Sequence, residues 1–222
     1  MDADVDNSVK PGRTASREVR RRQLIEATID SIAERGFSGT TLATVTKGAN
    51  LSHGIVNFYF KNKETLFAET LGLLAQEHFA CWQKAMEESD PKPGNQLKAI
   101  VEVDFERAIC SPKKLAVWFA FWGQAKHRPT YLEIHDQYDI QRSSEIGRLC
   151  RLIIADGAYE NRDPSSAARS IVALIDGLWL NQLLYPNSVS RNQARDDCFA
   201  FLAELFPRHF PVAANSQACN SK

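Results

Sequence analysis

Two short helical patterns, separated by only three or four residues, constrain this chain more than any other feature of its sequence. They occupy residues 41–66, with the letters TLATVTKGANLSHGIVNFYFKNKETL. Apolar residues at helical spacing form one face of each pattern: Leu42, Val45 and Ala49 in the first, Val56 and Phe60 in the second. Asn50 suits the turn between them, and Ser52 suits the N-cap of the second helix. Helices this short cannot bury their own apolar faces, so they must pack on a neighbouring helix.

The second short helix is also predicted to have an outward face of small or hydrogen-bonding groups. A helix that presents such groups, with lysines at its end, is how helix-turn-helix proteins enter the major groove of DNA. The predicted contacts are His53, Ile55 and Asn57 with bases and Thr41, Ser52, Tyr59 and Lys63 with phosphates, with Gly54 on the same face. For His53, a solvated position at the helix N-terminus is the alternative.

This stretch resembles the TetR family of bacterial repressors. The resemblance rests on Thr41-Leu42 through Val45, Ala49-Asn50-Leu51-Ser52-x-Gly54, Tyr59-Phe60 and Lys63-Glu64-x-Leu66. Two positions depart from the usual family pattern: Asn50, where glycine is typical, and Asn57, where tyrosine is typical. Asparagine tolerates the left-handed conformation of a turn glycine, so the first change preserves the motif. The second lies where family members often touch bases, so it affects the operator sequence rather than the mode of binding.

The basic residues of the chain are concentrated around these helices. The net charge is zero over 222 residues, which by itself argues against a nucleic-acid binder. Residues 10–63, however, hold ten lysines and arginines against four acids, a net charge of +6, whereas residues 1–9 and 64–222 contribute −3 each. Local charge is enough to neutralise phosphates, because charges are screened beyond about 8–10 Å at physiological salt. Arg20, Arg21 and Arg22 either face phosphates or form a solvated face.

Cysteine usage and hydropathy indicate the broad class of the protein. The five cysteines are scattered and never form a C-x-x-C pair, so neither a disulfide framework nor a zinc site is indicated. The sequence shows no signal peptide and no apolar run of about 18 residues. We therefore expect a cytoplasmic protein without a cofactor, a metal site or a membrane partner.

Helical periodicity and punctuation divide the chain into four parts. The predicted parts are a disordered basic arm (residues 1–16), a helix-turn-helix head (17–62), a helical effector-binding and dimerisation body (63–207) and a disordered tail (208–222). The arm either reaches an adjacent minor groove of DNA or is a solvated tail. The first helix of the head is expected to run from Arg17 to Arg35 and to end at Gly36.

The elements of the body are all predicted to be helices. Asn62 suits the N-cap of a long helix that begins near Lys63 and runs to about Glu88. After a break at residues 89–94, helical stretches follow at about 96–109, 112–126, 129–155, 164–185 and 190–206. No stretch alternates as a strand would, and the prolines stand at helix starts, where a missing N–H costs nothing. The fold class is therefore predicted to be all-α.

Two segments of the body combine aromatic rings with a single acid. Residues 118–122, WFAFW, place two tryptophans on one helical face, and residues 173–180, ALIDGLWL, enclose Asp176 among apolar residues. Burying an unpaired carboxylate is costly, so Asp176 requires a cationic or hydrogen-bonding partner. Aromatic faces and one acid suit a quaternary ammonium group, which is held by ring quadrupoles. The predicted ligand-binding residues are Trp118, Phe121, Trp122, Asp176 and Trp179.

Both segments, with the sequence HRP at residues 127–129, resemble the BetI subgroup of the TetR family. The resemblance covers roughly residues 17–206 and implies a repressor of glycine betaine synthesis genes that choline releases from its operator. Plainer interpretations remain open, with the aromatic residues as ordinary core and Asp176 as a structural acid paired with Arg148 or Arg151. The histidines His78, His127, His135 and His209 lack metal-like spacing and are expected to be surface or capping residues.

The last two predicted helices carry more apolar surface than one inner face requires, which indicates burial on two sides. In the TetR family such a pair meets its symmetry mate as a four-helix bundle. The resemblance therefore implies a homodimer whose two heads engage a pseudo-palindromic operator in double-stranded DNA.

Two other functions compete with a choline-responsive repressor. The first is a repressor of the same type that senses another small molecule, such as a drug or an acyl thioester. The second is a helical enzyme or carrier, although no nucleophile–base pair, metal spacing or phosphate-binding loop in the sequence supports catalysis.

Overall fold

The computed structural model describes residues 17–52 and 54–211. All regular secondary structure in this part of the chain is helical, with no strand. The helices are α1 (Arg17–Gly39), α2 (Leu42–Gly48), α3 (Gly54–Tyr59), α4 (Lys63–Glu88), α5 (Pro93–Asp104), α6 (Pro112–Ala125), α7 (Pro129–Asp156), α8 (Pro164–Leu184) and α9 (Arg191–Leu205). The all-α prediction is thus confirmed. The predicted arm, residues 1–16, and most of the predicted tail, residues 212–222, lie outside the described residues.

The first helix changes direction at Gly36. This residue has φ 70° and ψ 176°, a left-handed φ that glycine adopts without steric cost. The regular helix therefore ends where the sequence predicts, although residues 37–39 are still helical. The hydroxyl of buried Thr40 donates to the carbonyl of Gly36 at 2.9 Å and holds the turn closed. This turn delivers the chain directly to the start of α2.

Helices α1, α2 and α3 form the head around one small core. Its buried apolar members are Leu24, Ile25, Ile29, Ile32, Val45, Val56 and Phe60. Asn50, in the connection between α2 and α3, has φ 53° and thus adopts the left-handed conformation expected of it. Helix α2 packs on α1, and α3 packs on α2, because neither short helix could bury its apolar face alone.

The long helix α4 connects the head to the body. The side chain of Asn62 accepts a hydrogen bond from the backbone N–H of Thr65 at 2.8 Å, so the predicted N-cap is confirmed. The inner face of α4 buries Leu66, Phe67, Leu71, Leu74 and Trp82. Its N-terminal part packs against α1 and its remainder against α5 and α7.

The body is a bundle in which α6 has an unusual position. This helix packs against α7 and α8 of the body, but also extensively against α1 of the head. Lys113 at its start forms an ion pair with Asp30 of α1. Helix α6 therefore belongs to the body and also forms part of the interface between head and body.

The body continues to residue 211, beyond the boundary expected at residue 207. Phe210 is buried, and the Arg208 guanidinium donates to the carbonyl of Gly157 at 2.5 Å. The ring of His209 lies 3.0 Å from a carboxylate oxygen of Asp156 and 3.1 Å from the hydroxyl of Tyr159. These contacts fasten the segment after α9 to the end of α7. Within the described part of the chain, no helix is long and apolar enough to span a membrane.

A fully buried carboxylate joins four helices of the body. Asp104, at the end of α5, is 0% exposed, and Arg142 of α7, 4% exposed, donates to it at 2.5 Å. His78 Nε2 of α4 lies 2.6 Å from the other carboxylate oxygen, and Trp179 Nε1 of α8 donates to the Asp104 carbonyl at 2.8 Å. Burial opposes ionisation of Asp104, but the charge of Arg142 and the bond from His78 outweigh it and hold its pKa below the usual value.

Removing the charge of Asp104 should destabilise the body. We expect Asp104→Asn to lower the free energy of unfolding by about 3–5 kcal/mol, because Arg142 would stay buried without its counter-charge. Urea denaturation of the full chain measures the change. Glu102→Gln on the same helix is the control, because it removes only an exposed pair with Lys98 at 3.7 Å, whose loss should cost less than about 1 kcal/mol. Equal losses in the two variants would contradict a structural role for the buried pair.

Candidate nucleic-acid interface and ligand cavity

The start of α2 is fixed by a reciprocal capping box. The Thr41 hydroxyl accepts from the backbone N–H of Thr44 at 3.2 Å, and the Thr44 hydroxyl accepts from the backbone N–H of Thr41 at 2.9 Å. Thr41 is exposed, and its hydroxyl hydrogen is free of these two bonds. The residue predicted to contact phosphate therefore also defines the first turn of α2.

The outward face of α3 agrees only in part with the prediction. Gly54 and Asn57 are exposed, as expected, whereas Ile55 and Tyr59 are half-buried and pack against the head core. Ile55 and Tyr59 therefore help to anchor this six-residue helix in the head. His53 lies outside the described residues, and Ser52 beside it is exposed.

Phe58 is a surface feature of α3 that the sequence prediction missed. Its ring is 71% exposed and meets Tyr59 edge-on, with ring centroids 5.0 Å apart. An exposed phenylalanine beside Asn57 gives the surface of α3 an apolar patch next to its polar group. The residue could have been found from its position, since Val56 and Phe60 already supply the buried face.

Lys63 is half-buried at the first turn of α4, with its ammonium nitrogen 4.9 Å from the ring centroid of Phe67. This cation–π contact and the neighbouring Glu64 offset the unfavourable position of a cation at a helix N-terminus. A phosphate is therefore not required to explain the lysine at this position. Lys61, three residues after Phe58, is exposed.

The arginine run of α1 faces the body more than an open surface. Arg21 forms an ion pair with Glu69 and lies 5.7 Å from the ring centroid of Phe60. Arg22 pairs with Glu77 of α4 at 3.3 Å, and Arg20 donates to Gln23 at 3.0 Å. Arg21 and Arg22 thus join α1 to α4, while the side chain of Arg22 is still 60% exposed, so the phosphate-facing interpretation stays a prediction.

A cavity of about 270 Å³ lies inside the body between α4, α6, α7 and α8. Its lining residues are Leu71, His78, Trp118, Phe121, Trp122, Ala125, Tyr131, Leu132, His135, Asp139, Arg142, Asp176 and Trp179. All five residues predicted to bind a ligand are among them, so the structure brings the two aromatic segments together. None of the described head residues lines this cavity.

The aromatic walls of the cavity have distinct surroundings. The rings of Trp118 and Trp122 lie 6.2 Å apart at 45°, on one face of α6 as predicted. Phe121 is 1% exposed and meets Tyr131 edge-on at 5.1 Å, so it serves both the core and the wall. Trp179 is fixed by its bond to Asp104. For Phe121, the interpretation as an ordinary core residue and the interpretation as a cavity wall are therefore both consistent with the structure.

Asp176 is half-buried at the cavity without an ion pair to either predicted arginine. Arg148 binds Glu145 on its own helix at 2.5 Å, and Arg151 is exposed, so neither of these two arginines is the partner of Asp176, and the arginine whose charge acts on it is Arg142. Burial raises the pKa of Asp176 to about 6, against the opposing charge of Arg142, and the nearby carboxylate of Asp139 raises it further. The cavity thus holds a carboxylate whose charge is poorly compensated.

Two histidines at this site were misjudged from the sequence. His78 and His135 were expected to be surface or capping residues, but both line the cavity. The ring centroid of His135 lies 5.6 Å from that of Trp122, and His78 is bonded to Asp104. Lone histidines on amphipathic helices give no local signal of such a position. Only the long-range packing of α4 on α7 identifies them.

A second, larger groove of about 740 Å³ runs between α1, α4 and α7. It is open to solvent, and its charged residues already bind one another, as in the pairs of Arg21 with Glu69 and Arg128 with Glu64. The smaller cavity combines aromatic walls with the poorly compensated acid Asp176. These properties make it the better ligand site.

Comparison with known proteins identifies both halves of the chain. Residues 24–70 match the family of bacterial regulatory proteins, tetR family, and residues 93–207 match the BetI-type transcriptional repressor C-terminal domain. A relative from Burkholderia thailandensis, the HTH-type transcriptional regulator BetI, is 36% identical over 168 residues, which is 76% of this chain and 84% of the relative. A BetI regulator from Burkholderia mallei is 35% identical over 169 residues, with the same coverage.

Solved structures agree with this assignment. A putative transcriptional regulator from Pseudomonas aeruginosa PAO1 has a TM-score of 0.76 at 27% identity, with 88% of this chain and 96% of that chain covered. A putative transcriptional regulator from Saccharomonospora viridis, solved in complex with choline, has a TM-score of 0.74 at 19% identity, with 83% and 96% covered, and shows the shared fold alone.

The matched families and relatives are transcriptional regulators, which excludes the enzyme considered from the sequence. The helix-turn-helix head and the helical body also correspond to the two matched segments. The chain therefore belongs to the TetR family of DNA-binding transcriptional repressors and has a C-terminal domain of the BetI type.

Proposed function

We propose that the protein is a homodimeric repressor of choline uptake and glycine betaine synthesis genes, released from its operator by choline or a related quaternary ammonium compound. The observation that carries this proposal is the cavity in the body, where three tryptophans surround a poorly compensated carboxylate. A quaternary ammonium donates no hydrogen bond and is bound by aromatic faces and negative charge.

The size of the cavity favours a small effector over the competing ligand classes. Pockets for drug-sized ligands have volumes of about 300–1,000 Å³, and acyl thioesters are larger still. The cavity of about 270 Å³ lies at or below this range. Its charge balance supports a cation, because Arg142 pairs with both Asp104 and Asp139, at 2.5 and 3.5 Å, while Asp176 lines the same space without an ion pair among the described residues. A neutral drug would leave this negative charge unmatched.

The relatives add support of a different kind. The Burkholderia relatives carry the name BetI, and the Saccharomonospora structure contains choline. The sequence identity to that structure is only 19%, so its ligand suggests an effector without identifying one.

For the head, we propose that α3 enters the major groove and that Thr41, Ser52, His53, Gly54, Ile55, Asn57, Tyr59 and Lys63 form the DNA-binding surface. Exposed Asn57 is the best candidate for base recognition, because a carboxamide pairs bidentately with adenine. Half-buried Ile55 and Tyr59 contribute by holding α3 in place and by contacts at its edges.

Apolar surface on α8 and α9 supports a homodimer. Leu184 and Tyr185 are 56% and 58% exposed, and Phe199 and Leu205 are half-buried in one chain. Pairing these helices about a two-fold axis would bury this surface and place two heads on one pseudo-palindrome. The effector then acts by binding better to the form whose heads have the wrong separation for the operator.

Truncating Asn57 should weaken specific operator binding. We expect Asn57→Ala to lower the affinity for DNA from upstream of the protein's own gene by about 5- to 150-fold, because one base contact contributes about 1–3 kcal/mol of discrimination. Binding to unrelated DNA should be unchanged. Gel-shift titration at fixed salt measures both affinities, with Asn95→Ala in the body as the control. A uniform loss on both DNAs would argue against a base contact.

Truncating Trp122 should weaken choline binding. We expect Trp122→Leu to raise the choline Kd by about 10- to 30-fold, because a desolvated cation–π contact contributes about 2 kcal/mol. Isothermal titration calorimetry measures the Kd, and Phe79→Leu, outside the cavity, is the control. If millimolar choline neither binds the wild-type protein nor releases the operator, another small molecule is the effector.

The choline affinity should also depend on pH. Since the pKa of Asp176 is raised to about 6, its carboxylate is charged at pH 7.5 and protonated at pH 5, and the choline affinity should fall between these values. Asp104, Asp139 and Arg142 stand nearby, and the rings of His78 and His135 line the same cavity. Comparing the pH dependence of Asp176→Asn with that of the wild type isolates the contribution of Asp176. Identical slopes would exclude this carboxylate from the binding site.

A further inference from the structure

Four aromatic rings from four helices meet where the head rests on the body. Phe37 of α1 contacts Phe67 of α4, Phe121 of α6 and Tyr131 of α7, with ring centroids 4.9, 5.6 and 5.9 Å apart. All three contacts are edge-to-face, at interplanar angles of 82°, 81° and 67°. We call these four residues the aromatic junction. Edge-to-face geometry depends on the position of each ring, so the displacement of one ring affects the others.

Two rings of the aromatic junction are also walls of the cavity. Phe121 and Tyr131 line the cavity and touch Phe37 as well. Phe37 itself does not line the cavity. At this point, a single layer of side chains, formed by Phe121 and Tyr131, therefore separates the cavity from Phe37 of the head.

Arg128 fastens the aromatic junction to the first turn of α4. Its guanidinium carbon lies 5.6 Å from the ring centroid of Phe37 and 5.8 Å from that of Tyr131. The same guanidinium donates to the carboxylate of Glu64 at 3.3 Å. Glu64 follows Lys63, the residue proposed to contact phosphate. The junction thus reaches the segment that joins the head to the body.

The backbone around Phe37 transmits its position to α2. Phe37 follows the left-handed Gly36, and the Thr40 hydroxyl bonds back to the Gly36 carbonyl at 2.9 Å. Thr41 comes next and caps α2, which positions α3. A movement of the Phe37 ring is therefore coupled to the start of the helix-turn-helix through a short, hydrogen-bonded turn.

We propose that Phe37 is a positioning residue through which an occupant of the cavity shifts the head. An occupant that displaces Phe121 or Tyr131 must displace Phe37 as well, because close-packed interiors respond by discrete repacking rather than by compression. The inference rests on the proposed function only in that a small molecule occupies the cavity.

Replacing Phe37 by leucine in the full-length protein tests this role. Leucine keeps the site apolar but removes the three edge-to-face contacts. We expect choline to weaken operator binding by the wild type at least tenfold, within the usual range of about 5- to 150-fold for allosteric coupling, and by Phe37→Leu less than about twofold. The choline Kd of the DNA-free variant should stay within about twofold of the wild type.

Phe79→Leu is the matched control. Phe79 is also half-buried and has two edge-to-face partners, Trp82 and Tyr138, at 5.2 and 5.6 Å, but it contacts neither the head nor this cavity. It should keep the wild-type response. If Phe37→Leu lowers operator affinity yet keeps the full choline response, its role is only structural and the proposal is overturned.

A second experiment needs no ligand, so its result does not depend on which molecule is the effector. Ala125 lines the cavity one turn after Phe121 on α6, so Ala125→Leu fills part of the cavity from within. We expect it to weaken operator binding in the protein with Phe37 but not in the Phe37→Leu background. If choline has no effect on the wild type, the proposed effector is wrong, but this second experiment still tests the role of Phe37. An equal effect of Ala125→Leu in both backgrounds, or no effect in either, overturns the role of Phe37.

Discussion

The buried residue Asp104 organises the helical body of this protein. It binds Arg142 and His78 through its side chain and Trp179 through its carbonyl. These three partners come from α7, α4 and α8, and each lines the cavity, whereas Asp104 does not. Because a buried charge is tolerated only with matching partners, one residue of α5 holds three cavity walls at fixed positions. The cavity therefore depends on a residue that does not line it.

The same contact determines the electrostatics of the cavity. With Arg142 bound to Asp104, Asp176 has no ion pair within the described part of the chain. Aromatic rings occupy the remaining wall, so an incoming cation would find negative charge and ring faces together. The stability of the body and the charge of the cavity thus have a common origin, because Arg142, whose charge also acts on Asp176, is paired with Asp104.

Local sequence signals predicted the helices and their ends, because a cap or a turn depends on residues a few positions apart. Asn62, Gly36 and Asn50 behave as predicted. The aromatic segments were also brought together as expected. The roles of Asp104 and Arg142 could not be predicted, because a bond across 38 positions leaves no trace in helical periodicity. The ion pairs of Arg21 and Arg22 could not be predicted for the same reason, since their acidic partners lie on α4.

The interface between head and body limits how far the two halves are interchangeable. Helix α6 forms part of the cavity and also packs on α1, and Phe37 inserts from α1 between residues of three other helices. A chimera that joins this body to the head of another repressor would keep a complete cavity. If Phe37 has the proposed positioning role, the chimera would respond to an occupant of the cavity only if the foreign head supplied a ring that matched the surface at Phe121 and Tyr131. On that proposal, head and body would have to be exchanged together at this boundary.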